Sequence, residues 1–121
     1  MTTIFSTRVT AIGPEAAAML AEAGMFILFG DGAPADLAEF CYSIDQHHLL
    51  DEIRVGDQFV VDGQSYPITA VGSVVAQNLE MLGHISINTD GATNPSLPGT
   101  LHIAADLAPT LEVGTKVEIT R

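Results

Sequence analysis

Phe59-Val60-Val61-Asp62-Gly63-Gln64-Ser65-Tyr66-Pro67-Ile68-Thr69-Ala70-Val71 decides the fold class. Asp62-Gly63 is a dipeptide whose two residues accept positive φ, which makes a two-residue hairpin inexpensive between strands of β-branched and aromatic residues. Val55-Gly56-Asp57 reads as the turn into the first strand, and Ser65 to Val71 as the strand that returns. Working outward, residues 4–12 are rich in Thr and Ile and read as a strand that Gly13-Pro14 ends. Met25 to Phe29 is a continuous apolar run bounded by Gly24 and Gly30, too short for a helix and apt for a buried strand. Further strands are expected at 84–89, 100–104 and 116–120.

Helical signals are short. Glu15 to Glu22 follows Pro14, is dense in helix formers and stops at Gly24, where a left-handed cap is easy. Pro34 opens a helical turn that ends around Cys41, and Val75, Leu79 and Leu82 have helical spacing before Gly83, predicting a helix over 74–82. Tyr42 to Ile53 supports no single assignment. No internal repeat or linker is evident, so residues 1–121 are expected to form one domain. Seven or so strands in so short a chain must close or hide their edges, which predicts an all-β fold with a few short helices, as a closed or nearly closed β-barrel.

Composition restricts the function. Four Lys and Arg against fifteen Asp and Glu give a net charge of −11 and a pI near 4.3. Nucleic acid and anionic membrane surfaces would repel such a chain, whereas a basic patch on another protein would meet it quickly; solubility alone explains the charge equally well. No apolar run approaches the roughly 20 residues of a membrane-spanning helix, and the first residues lack the blocks of a signal peptide. The lone Cys41 fits a reducing compartment, so a cytoplasmic location is expected. No Walker-type loop, Ser/His/Asp motif or Cys/His zinc spacing occurs, and neither cofactor nor metal is expected.

Gly32-Ala33-Pro34-Ala35-Asp36-Leu37-Ala38-Glu39-Phe40-Cys41 resembles the glucitol/sorbitol-specific IIA family of the bacterial phosphotransferase system. The resemblance continues in order through Val55-Gly56-Asp57-Gln58-Phe59, Tyr66 to Val74, Asn78-Leu79, Leu82-Gly83-His84-Ile85 and Leu97-Pro98-Gly99-Thr100-Leu101-His102-Ile103-Ala104, covering nearly the whole chain. It implies a β-barrel-like protein that takes a phosphoryl group from a histidine of the carrier HPr and passes it to the IIB component of an IIB/IIC sugar permease. Such chemistry needs a partly exposed neutral imidazole, an orienting partner on its other nitrogen, and donors for the transferring oxygens.

In the family pattern the acceptor histidine follows the cysteine by three places, where this chain has Ile44; a second common histidine corresponds to Gln46. His47 and His48 lie slightly later in the same segment. Either is a candidate acceptor if that loop takes a different path, and His48 is favoured because Asp45, Asp51 and Glu52 are near in sequence. His84 and His102 match family positions and are also candidates; each lies on the face opposite its flanking Ile and Leu residues, so the two rings would meet if their strands pair. Solvated loop histidines and hydrogen-bonded structural histidines are the plainer alternatives. With Ile44 in place of an acceptor, a non-catalytic member that regulates or binds a partner is the competing function, and a structural subunit of a permease assembly is a third.

Overall fold

The hairpin forms as its turn chemistry demands. In the computed structural model, which describes residues 2–121, Asp62 has φ 46° and Gly63 φ 84°, joining strand β4 (Gln58–Val61) to β5 (Gln64–Val71). In chain order the elements before it are β1 (Thr3–Ile12), α1 (Ala16–Ala23), β2 (Met25–Phe29), α2 (Ala35–Ala38) and β3 (Cys41–Ile44). Those after it are α3 (Val75–Leu82), β6 (Ile85–Asn88), β7 (Thr100–Ile103) and β8 (Lys116–Thr120). The eight strands close into a barrel in the order β1-β3-β2-β6-β7-β5-β4-β8, so no sheet edge is left to template association.

Six of the eight pairings are antiparallel. The two parallel pairs, β2 with β3 and β6 with β7, are reached through the crossover segments 30–40 and 89–99. Parallel neighbours need connections of about this length. This explains why β3 was not apparent in sequence. Its four residues pair with segments distant in the chain, and three of them, Cys41, Tyr42 and Ile44, are buried, so no polar alternation marks it.

The expectation of no internal repeat is corrected. Val9-Thr10-Ala11-Ile12-Gly13 recurs as Ile68-Thr69-Ala70-Val71-Gly72, Leu20 to Gly24 is matched by Leu79 to Gly83, Asp31-Gly32-Ala33 returns as Asp90-Gly91-Ala92, and Val55-Gly56 as Val113-Gly114. Exchanging β1, β2, β3 and β4 for β5, β6, β7 and β8 leaves the barrel's strand order unchanged, which defines an approximate twofold axis passing between β2 and β6 and between β4 and β8. Backbone contacts follow the same relation. Gly13 N–H donates to Cys41 O and Gly72 N–H to Thr100 O, both at 2.9 Å. A side chain on Gly13 would strike the Ala38 and Glu39 carbonyls, and one on Gly72 the Leu97 and Pro98 carbonyls. Both helices end on left-handed glycines, Gly24 at φ 67° and Gly83 at φ 68°.

The interior is one continuous apolar cluster in which Phe26 meets Tyr42 and Phe59 edge-on at 6.2 and 6.0 Å. Leu20 of α1 and Leu79 of α3 join it from equivalent places in the two halves. Leu82 differs from the expected apolar face of α3, being about half exposed.

Candidate functional site

Ile44, at the position of the expected acceptor, is completely buried in the core and pairs with Val9 of β1. Beyond it the chain leaves the sheet. Asp45 turns back onto β1, accepting from the Arg8 amide and the Thr7 hydroxyl, both at 3.0 Å. Burial alone would raise the Asp45 carboxyl, but these two donors bring it below the usual carboxylate range. The next residues cross the C-terminal end of α3, where Asp45, Gln46, His47, His48 and Glu80 line an open groove of about 360 Å³.

Glu80 organises this groove at three points. Its backbone carbonyl accepts from His47 Nδ1 at 2.8 Å, one carboxylate oxygen meets His48 Nδ1 at 3.1 Å, and the other accepts from the Leu49 amide. A carbonyl can only accept, so His47 carries a proton on Nδ1, and in the neutral ring the lone pair is on Nε2. Two glycines let that ring lie close to the main chain. A methyl on Gly30 would come within 3.0 Å of His47 Cδ2 and 3.3 Å of Nε2, and one on Gly83 within 3.2 Å of His47 Cβ. His47 is half-buried, whereas the His48 side chain is 72% exposed. The Leu49 amide and then the His48 ring hold the Glu80 carboxyl below its ordinary range.

The carboxylates expected to orient His48 are engaged elsewhere: Asp45 with Thr7 and Arg8, Asp51 with Arg121, and Glu52 with Arg54. The orienting group is Glu80, thirty-two positions along the chain. His84 and His102 are not brought together, although β6 and β7 do pair. Their register sets His102 opposite Asn88, four residues beyond His84 or roughly 13 Å along the strand. His84 instead stacks on Phe29, with ring centroids 4.7 Å apart, and burial pushes its pKa down. His102 is enclosed beneath the second crossover, its Nδ1 2.7 Å from Asp90 and its Nε2 3.1 Å from the Ser96 amide. Cys41 is buried, with its thiol on the Leu37 carbonyl and its pKa raised by burial, the environment of an inert cysteine.

His84 predicts a pH effect on stability. Its folded pKa lies below the ordinary 6.5, so the unfolded chain takes up this proton first and stability declines as pH falls from about 6.5. Asp45 and Asp90, also depressed in the fold, contribute stability that is present above the ordinary 3.8 and lost as pH falls through their lower folded values. Melting temperature against pH is therefore expected to fall in two stages, and His84→Phe is expected to flatten the first.

The barrel is that of a phosphotransferase-system IIA protein: the crystal structure of a PTS system IIA component from Enterococcus faecalis V583 superposes with a TM-score of 0.84, covering 97% of this chain and 100% of that one at 23% identity. Residues 4–118 match the family model of the PTS system glucitol/sorbitol-specific IIA component. Glucitol/sorbitol-specific EIIA components of Shigella flexneri and Escherichia coli strain K12 are each 42% identical over 113 residues, covering 90% of this chain and 91% of theirs. The chain belongs to the glucitol/sorbitol-specific IIA family.

Proposed function

We propose that this protein carries a phosphoryl group on His47 Nε2, accepting it from the histidine of HPr and handing it to the IIB component of a glucitol/sorbitol permease on the cytoplasmic side of the membrane. The observation that carries this reading is the bond from His47 Nδ1 to the Glu80 carbonyl. In the neutral ring it fixes the tautomer that leaves the lone pair on Nε2. In the transfer that lone pair forms the new N–P bond while the donor's N–P bond breaks in line, and the Glu80 carbonyl stabilises the cationic ring. Handing the group on reverses the same step.

The twofold relation supports the choice of groove. Residues that the barrel requires recur in both halves, but the stretch matching Ile44 to Val55, Ile103 to Val113, contains no histidine, and the position equivalent to Glu80 is Ala21. The fold therefore does not demand a histidine pair or a carboxylate there.

Among the described residues, no Lys or Arg lines the groove. Arg54 pairs with Glu52, Lys116 with Glu118, Arg121 with Asp51 and Asp57, and Arg8 donates to the Gly114 carbonyl. Positive charge for the transferring oxygens must then come from the partner, consistent with the chain's net charge of −11. The competing reading, a regulatory member without transfer activity, is favoured by the buried Ile44 at the expected acceptor position.

Supplying phosphoenolpyruvate, enzyme I and HPr is expected to place acid-labile phosphate on the chain, and adding the IIB component to remove it. Stable absence of label beside an active control IIA protein would favour the regulatory reading. Glu80→Gln is expected to slow transfer within about tenfold, since the bond to His47 comes from the backbone and the amide still offers an oxygen to Leu49. Transfer rates in a quenched-flow assay check this.

A further inference from the structure

The second crossover assembles three side chains that the proposed phosphoryl groove does not use. Ser96 Oγ lies 3.3 Å from His102 Nε2, and His102 Nδ1 lies 2.7 Å from Asp90 Oδ1. The Ser96 amide also points at Nε2, at 3.1 Å. An amide can only donate, so the ring carries its proton on Nδ1, where Asp90 accepts it, and Nε2 presents a lone pair to Ser96. His102 is buried at 1% exposure, while Ser96 is open to solvent. The base is thus held rigidly and the hydroxyl can be reached from outside.

These contacts are not a requirement of the fold. In the twofold-related crossover the aspartate recurs as Asp31, but the positions equivalent to Ser96 and His102 are Leu37 and Ser43. That half returns to the barrel through β3 without a histidine or this network. The Ser96–His102–Asp90 arrangement was also invisible in sequence, because no local spacing marks it; the crossover folds over β7 to create it.

The geometry points to Ser96 as a nucleophile toward activated carboxylic esters, with His102 as its general base and Asp90 as the residue that positions and charge-balances the imidazole. In the acylation step Ser96 Oγ bonds to the ester carbonyl carbon as its proton passes to His102 Nε2. The ester C–O bond then breaks, and the leaving oxygen departs with the electron pair and takes the proton from Nε2. Water attacks the acyl-serine by the same route, releasing the carboxylic acid and restoring Ser96. The Leu97 amide, next in the chain, has no hydrogen-bond partner among the described residues. The Ser96 amide competes for the Nε2 lone pair and Ser96 is exposed, so turnover is slow and the acyl group is chosen by reactivity rather than shape.

The test is treatment of the intact protein with p-nitrophenyl acetate, followed by quenching and peptide mapping of acetylation against time. Ser96 is expected to be acetylated at least tenfold faster than the exposed Ser73 and Thr93 of the same molecule, a comparison that needs no variant. Asp90→Asn is expected to slow Ser96 acetylation at least tenfold and to remove the downfield Nδ1 proton resonance of His102, while Ser96→Ala abolishes acetylation at this position. Acetylation of Ser96 at the rate of Ser73 and Thr93, or an unchanged rate in folded Asp90→Asn, would overturn the proposal.

Discussion

His47→Gln is expected to lower phosphoryl uptake from HPr at least about 10³-fold, to the background of the assay. The glutamine amide can still donate to the Glu80 carbonyl and occupy the space above Gly30, so the groove keeps its shape and loses only the nucleophilic nitrogen. His48→Gln is expected to stay within a few-fold of the wild type. Its ring is mostly exposed and held by a single carboxylate contact, an arrangement that costs little to lose. The pair separates an acceptor from a neighbour: equal losses would mean that the segment acts through its conformation rather than through His47. Circular dichroism of both variants should match the wild type.

The second large effect concerns Ile44. Placing a histidine at the expected acceptor position with Ile44→His is expected to destabilise the protein by about 2–4 kcal/mol, because an imidazole replaces a fully buried side chain in an apolar core without a hydrogen-bond partner. It is also expected to add no second phosphoryl group, since no donor protein can reach a side chain enclosed by the barrel. Urea unfolding measures the first effect and intact mass the second. A stable variant that gained a second phosphate would show that β3 can turn this position outward, and would move the acceptor away from His47.

What could be read in the sequence was what rests on local chemistry. Asp62-Gly63 specified the hairpin because both residues adopt positive φ, and Gly24 and Gly83 ended α1 and α3 because each takes the left-handed conformation. Met25 to Phe29 announced a strand by being an apolar run too short for a helix, although only Phe26, Leu28 and Phe29 are buried and Met25 and Ile27 are partly exposed. What could not be read depends on partners distant in the chain. β3 exists because β1 and β2 flank it, and the repeat is diluted because most other positions differ between the halves while the turns and helix ends match.

The candidate site divides in the same way. The segment from Asp45 to Leu49 was recognisable, and Ile44 left either a relocated acceptor or a non-catalytic member as the readings. The contact on which the proposal of His47 rests was not recognisable, because it is made to a main-chain carbonyl of α3 that carries no side-chain signature. The nearby acidic residues pointed instead to His48, yet Asp51 and Glu52 are engaged by Arg121 and Arg54. Likewise, strand alternation correctly set His102 opposite Leu101 and Ile103, but alternation within a strand carries no information on register between strands, and register is what keeps His84 and His102 apart.

The most direct test is to phosphorylate the wild-type protein with phosphoenolpyruvate, enzyme I and HPr, and to identify the modified nitrogen by heteronuclear NMR of the histidine rings. One phosphoryl group is expected, on His47 Nε2, with Nδ1 of the same ring still protonated and bonded to the Glu80 carbonyl. Phosphate on His48, His84 or His102, or on Nδ1 of His47, or no phosphate where a control IIA protein is fully labelled, would contradict it.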